Sequence, residues 1–334
     1  MAKASSLIGG AVAAAWALNA AAAPAPASRI VLAVDGVEQT RNLPALVAER
    51  LGYFKDEGLT VTLVDAPAQP SPAELMKDGR ADGAVAFYHH TFMSQANDHF
   101  VTEDVATLGV TPGLKLMVAT RLQGQVKTAA DLKGLRIFTG GANSGKTTAA
   151  NWMVRHAGLA LGSYTALPPT TFKQMAAALK SGEADAVMSH EPDASEYAAS
   201  GLAFELADLS SAGGTRAALG EVFPSTSLYM PKAYVDAHPA EVQRLVHALL
   251  RANAFIRSHD AAAIADVLPP HAVGKDRAAF VKLLAADKQM FETDGRLSEP
   301  AARAEWQAMT ALTPKYGRID FAATYTNRFV DAAR

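Results

Sequence analysis

Gly140-Gly141-Ala142-Asn143-Ser144-Gly145-Lys146-Thr147 has the spacing G-x-x-x-x-G-K-T. A glycine-rich turn that opens a helix leaves backbone N–H groups free to cradle phosphate. A lysine there can reach the outer oxygens, and a Thr hydroxyl can hold the accompanying magnesium. The same chemistry serves other anions, because the first N–H groups of a helix and the positive end of its dipole attract carboxylate, sulfonate or phosphate alike. Asn143, Ser144, Gly145, Lys146 and Thr147 are therefore candidate ligand-binding residues. Nucleotide hydrolysis needs in addition an apolar strand ending in Asp to hold magnesium. The nearest candidate, Ala186-Val187-Met188-Ser189-His190-Glu191, ends in His-Glu. The plainer alternative is that Ser144 only caps the helix and Lys146 is solvated.

Four further groups have side chains suited to binding. Phe87-Tyr88-His89-His90-Thr91 offers Tyr88 and His89 to stack on or hydrogen-bond an aromatic ligand; the alternative is a core Phe87 and Tyr88 with a surface His pair. Glu38, Gln39 and Asn42 share one polar loop, where Glu38 can pair with an amino group or simply be a solvated acid. Glu191, ahead of Pro192, either faces a cleft or caps the helix that follows. Thr111 and the hydroxyls of Ser225, Thr226 and Ser227 lie where the chain passes between units. No metal set is expected, since adjacent His residues without Cys or H-E-x-x-H lack zinc-ligand spacing. No catalytic set stands out either: Ser144 has no G-x-S-x-G elbow, and no motif calls for a cofactor.

The elements that must carry these groups follow from periodicity. Arg29 to Val34 and Leu59 to Val64 are β-branched strand runs, and Gly83 to Phe87 is a third. Leu43, Leu46, Val47, Arg50 and Leu51 recur at helical spacing, and Pro70-Ser71-Pro72 starts a helix to Lys77. This β-α-β-α-β order demands parallel strands covered on both faces. Two longer strands, Val105 to Val110 and Leu116 to Thr120, are joined through Thr111-Pro112-Gly113-Leu114, which reads as a crossing. The rhythm then restarts with helix Ala130 to Lys133, strand Arg136 to Phe138, the glycine turn, helix Thr147 to Ala157, helix Phe172 to Lys180, strand Ala184 to Met188 and a segment from Pro192 to Ala199. Val222 to Met230 reads as a return strand. Helices follow at Glu241 to Ile256, Ala261 to Leu268, Arg277 to Phe291 and Pro300 to Leu312. A pass out and a pass back between two α/β units make two lobes around a cleft, with ligand loops beyond the strand ends at 35–42, 65–70, 87–91, 111–114, 139–147 and 189–192.

Composition narrows the function classes. Lys and Arg total 31 against 33 Asp and Glu, a formal net charge of −2. No basic stripe is present, which argues against nucleic acid. Lys3 followed by the apolar run Leu7 to Leu18 and Ala20 to Ala23 predicts a secretory signal peptide over residues 1–23, cut near Ala23. There is no Cys, so neither a lipid anchor nor a disulfide is expected, and stability must come from a sizeable core. Beyond the signal no apolar run is long enough for a membrane span.

Several motifs in order carry a family resemblance. Leu46 to Leu59 resembles an "A-x-x-x-G-Y-F-x-x-E-G-L" signature; Gly79-Arg80-Ala81-Asp82-Gly83 and Ser181 to Val187 resemble a repeated "G-x-A-D" step. Asp131 to Ile137 resembles "D-L-K-G-K-x-I", and His238-Pro239-Ala240-Glu241-Val242 with Ala248 to Ala254 resembles "h-P-e-x-v…A-l-x-x-A". Together they resemble the substrate-binding proteins of ABC importers for nitrate, sulfonates, taurine and thiamine-pyrimidine precursors. The resemblance implies an α/β, periplasmic binding protein-like type II fold: two α/β lobes with a ligand cleft and two interlobe crossings. The first lobe would be 29–113 plus 228–334, and the second 114–227. It further implies a monomer in the periplasm that closes on a small anionic, aromatic or sulfonate solute and delivers it to an ABC permease with its ATPase subunit. The segment matching Gly140 to Thr148 reads "S-x-x-G-S-G-T" in the family and opens a helix facing the cleft; here Lys146 replaces a small residue and creates the phosphate-loop string. The thiamine-pyrimidine branch carries D-W-x-P-N where this chain has Asp35-Gly36, so its stacking Trp is missing. The yeast-type synthase of that branch uses Cys, which counts against an enzyme of that kind.

Overall fold

The computed structural model describes residues 28–37, 39–66, 70–141 and 144–333. The predicted signal peptide lies outside them, as do Glu38 and Asn143. Ten strands form two five-stranded sheets among the described residues. They are β1 (Ser28–Val34), β2 (Leu59–Asp65), β3 (Gly83–Phe87), β4 (Thr102–Thr107), β5 (Leu114–Ala119), β6 (Arg136–Phe138), β7 (Thr165–Leu167), β8 (Ala186–Ser189), β9 (Ala203–Leu209) and β10 (Thr226–Pro231). The first sheet runs β2-β1-β3-β10-β4 and the second β7-β6-β8-β5-β9. In each, four strands share one direction and one runs against them: β10 between β3 and β4, and β5 between β8 and β9. The antiparallel strand is the one that has just arrived from the other lobe. This exchange gives a bilobed α/β architecture with two crossings.

Alternation along the strands feeds apolar layers on both faces, as parallel sheets require. On β1, Ile30, Leu32 and Val34 join one core with Leu46, Val47, Leu245 and Leu249, while Ala33 points into another with Leu75, Met76 and Tyr229. On β5, Leu116 and Val118 pack with Trp152 and Met153, whereas Met117 packs with Phe138, Val187 and Tyr197. The helix Glu299–Leu312 leaves the first lobe and packs through Ala308 into the second lobe's cluster.

The two crossings run side by side. Gly109 N donates to Thr226 O at 2.9 Å, Ser225 N to Gly109 O at 3.0 Å, and Phe223 N to Val110 O at 3.1 Å. Approach this close depends on Gly109, where a Cβ would stand 2.6 Å from Ser225 Oγ and 3.3 Å from Thr226 N. The chain re-enters the first sheet at Thr226, whose register partner is Phe87, two residues before the expected boundary at 228. The first-lobe strand expected at 105–110 pairs at Thr102–Thr107 instead, because residues 108–110 belong to the crossing. Strands β7 and β9 and the helices His90–Asp98 and Ala212–Leu219 had no counterpart in the sequence reading. Among the described residues no helix is long and apolar enough to cross a membrane.

Candidate functional site

The helix Gly145–His156 begins where the glycine turn leaves β6. Ser144 is its N-cap: Oγ accepts from Thr147 N at 3.2 Å and donates to Thr139 O at 3.1 Å. Thr147 Oγ1 lies 2.9 Å from Thr139 O and 2.8 Å from Gly141 O. Both hydroxyls are thus committed to closing the turn, and the Thr147 hydroxyl is not presented as it would be to a magnesium ion. Lys146 projects from the first turn, half-buried, and its Nζ has no hydrogen-bond or ion-pair partner among the described residues. Burial lowers its pKa, the nearby Arg41 adds to that, and Asp193 opposes both.

The first lobe sets Arg41 against this helix. The loop after β1 is tied by Asn42 Nδ2, which donates to Asp35 O at 2.7 Å and Gly36 O at 2.9 Å. Arg41 Nη2 bonds Asp35 O at 2.8 Å and pairs with Asp35 Oδ2 at 3.1 Å, and Nη1 bonds Gln39 Oε1 at 3.2 Å. Thr226 Oγ1 donates to Arg41 O at 2.9 Å, fastening the loop to the return crossing. Among the described residues Arg41 Nε is buried without a hydrogen-bond partner. The guanidinium sits 5.0 Å over the Phe87 ring, a cation–π distance.

From the second lobe His190 comes close to Lys146 and Arg41. Its Nδ1–H donates to Gly113 O at 3.0 Å. Burial, with Lys146 and Arg41 nearby, pushes the imidazole down to about 3, so it is neutral between two cations. A cavity of about 30 Å³ at the mouth of the cleft is lined by Gln39, Arg41, Gly113, His190, Glu191 and Asp287, among others. Glu191 Oε1 pairs with Lys115 Nζ at 3.2 Å, and its Oε2 accepts from Ser195 N at 2.9 Å. Glu191 thus holds one free N–H in the first turn of the helix Asp193–Ala199 and lines the small cavity.

Other expected site residues lie elsewhere. Tyr88 is fully buried, its hydroxyl 2.8 Å from Thr324 Oγ1 and its ring edge-on to Phe92, in a cluster with Met309 and Tyr316. It points into the C-terminal core and away from ligand, because β3 ends at Phe87 and the next side chain turns to the opposite side. His89 is 1% exposed, its Nδ1 2.8 Å from Glu305 Oε1 and its ring stacked on Phe87. It stands behind Phe87, where a ligand cannot stack on it. Thr111 is buried and donates to Ser210 O at 3.2 Å, tying the first crossing to the end of β9. Asn42 is buried as the loop's clasp, and Gln39 is exposed at the rim.

The structure therefore brings together Lys146, Gly145 and Glu191 from the expected set, with Thr226 holding Arg41 from beneath. Arg41 and His190 are additions. A signal for Arg41 was present, since it is the cation of a loop already marked as ligand-facing. His190 ends the strand that was dismissed as a magnesium site. Among the described residues no three His, Asp or Glu side chains converge to hold a metal ion.

The two α/β lobes, joined by two crossings that exchange a strand, have a periplasmic binding protein-like fold. Residues 39–263 match the family described as NMT1/THI5 like, and the chain belongs to that family. A protein from Bordetella bronchiseptica RB50 is similar at 27% identity and TM-score 0.74, covering 92% of this chain and 96% of its own. The alkanesulfonate-binding protein SsuA from Xanthomonas axonopodis pv. citri, bound to MOPS, is 20% identical with TM-score 0.65, covering 90% of this chain and 98% of its own. The desulfurization enzyme DszB is 17% identical with TM-score 0.60, covering 92% of this chain and 98% of its own. No curated protein sequence matches the chain significantly.

Proposed function

We propose that the protein is the extracytoplasmic solute-binding component of an ABC importer. It works as a periplasmic monomer that closes its lobes on a small anion and hands it to a membrane permease with its ATPase subunit. A ligand touching both lobes stabilises the closed form by its differential affinity for that form. The observation that carries this reading is Lys146, a half-buried ammonium with no ion-pair partner among the described residues, on the first turn of a helix near Arg41. Leaving such a charge unpaired in a partly dry cleft is costly, and an anion seated there removes the cost. A sulfonate is favoured as the anion by the ligand of the alkanesulfonate-binding relative.

Because an enzyme shares the fold, binding must be separated from turnover at the site. Cys is absent from the chain. The Nδ1 atoms of His89 and His190 are held by Glu305 and by Gly113 O, so neither imidazole is hydrogen-bonded through Nδ1 to a nucleophilic hydroxyl. Titration calorimetry with nitrate, alkanesulfonates, aromatic carboxylates and sulfonates, and pyrimidines identifies the ligand. Lys146→Ala then weakens binding about tenfold to a hundredfold, the worth of a charge-assisted hydrogen bond. Unchanged affinity in that variant, or binding of magnesium-ATP by the wild type, refutes the reading.

A further inference from the structure

Phe87 belongs to the first lobe by chain and to the second by packing. It is the last residue of β3, yet its ring is part of the apolar cluster of Leu116, Trp152, Met153 and Phe223. The ring tip covers the start of the helix Gly145–His156: a Cβ on Gly145 would stand 3.2 Å from Phe87 Cζ and 3.3 Å from Cε1. Three neighbours hold the ring in place. His89 stacks on it at 5.2 Å and 18°, the Arg41 guanidinium lies 5.0 Å over it, and Gly145 closes its far end. Arg41, which lies over the ring, also lines a cavity of about 30 Å³ with Gln39, Gly113 and His190, on the order of the volume of one water molecule.

Resting on the anion-binding reading above, we infer that Phe87 is the specificity-determining residue that limits the size of the bound anion. A side chain packed this way rejects larger ligands by steric exclusion, as negative selection in a pocket does. A ligand with a long or ringed substituent has to displace a ring that fills the second lobe's core cluster, and so loses the packing energy of that contact. A compact anion at the helix start displaces less of the ring. Gly145 has a matching role, since a Cβ there would crowd the Phe87 ring.

The experiment measures dissociation constants of the wild type, Phe87→Leu and Phe87→Ala for nitrate, methanesulfonate, butanesulfonate and MOPS by titration calorimetry, with circular dichroism and a melting curve to check each fold. The wild type is expected to prefer methanesulfonate to MOPS by about tenfold or more, the range a hydrophobic pocket can discriminate. Phe87→Ala shrinks that preference by about tenfold, and Phe87→Leu, which keeps an apolar strut, shifts it in the same direction by less. Equal wild-type affinity for methanesulfonate and MOPS, or an unchanged preference in a folded Phe87→Ala, overturns the size limit while leaving anion binding intact. Failure of the wild type to bind any member of the series overturns both.

Discussion

Glu305→Gln keeps the shape of the side chain and one hydrogen bond to His89 but changes how many protons the buried pair holds. Glu305 and His89 are 0% and 1% exposed and 2.8 Å apart. Burial raises the Glu305 carboxyl well above its ordinary range and pushes the His89 imidazole down to about 4. As neutral acid with neutral imidazole, or as carboxylate with imidazolium, the folded pair holds one proton. In the unfolded chain the two groups titrate near 4.5 and 6.5. Between those values the unfolded chain also holds one proton, so the site adds no slope to stability. Above 6.5 the unfolded chain holds none, and wild-type stability falls by about 1.4 kcal/mol per pH unit. In Glu305→Gln the amide donates to a neutral imidazole, and the folded pair holds no titrating proton. Its stability from this site rises with pH up to 6.5 and is then flat. From pH 5 to pH 8 the difference between the two proteins therefore moves in the variant's favour. Urea unfolding at pH 5, 6.5 and 8 reads this directly. Parallel pH profiles for wild type and variant would refute the single-proton account of the pair.

Thr226→Val removes the hydroxyl that holds Arg41 O and leaves the volume nearly unchanged. It should cost about 1 kcal/mol of stability and weaken anion binding by loosening the Arg41 loop, whereas a stability loss with unaltered affinity would detach Thr226 from the site. Asp287 is 5% exposed, and burial, with Glu191 and Asp208 nearby and only Lys115 opposing, raises its carboxyl to about 7. Since this value lies above the unfolded 3.8, the stability it supports is complete below about 3.8 and is lost as pH rises toward 7. Asp287→Asn should flatten that loss, by about 3 kcal/mol between pH 5 and 8, in unfolding curves measured at the two pH values. The same slope in both proteins would place the titration elsewhere.

How much of this was legible in the chain depended on the range of the interactions involved. Gly83 to Phe87 and Arg136 to Phe138 were read to the residue, and the helix started by Pro70-Ser71-Pro72 was read to its end at Lys77, because their apolar pattern and flanking Gly or Pro are local signals. Strand β9 was missed because Ala203–Leu209 carries Glu205 and Asp208 for Lys115, an edge position that alternation alone does not mark. Tyr88 and His89 were misplaced for a related reason. Types and spacing say that a ring follows the strand, but not which side of a turn it takes, and the partners that decide it, Thr324 and Glu305, lie more than 200 residues away.

Local chemistry, then, determined the helix start with its Ser144 cap and Lys146 charge, the β-α alternation, and the motifs that place the chain in its family. Tertiary structure alone decided that Arg41 and His190 meet Lys146 and that Phe87 crosses from one lobe into the core of the other. The physical reason is that an N-cap or an alternating strand is stabilised by residues within one turn or one pleat. A cleft exists only where two separately folded sheets, joined by crossings that exchange a strand, bring their loop ends together.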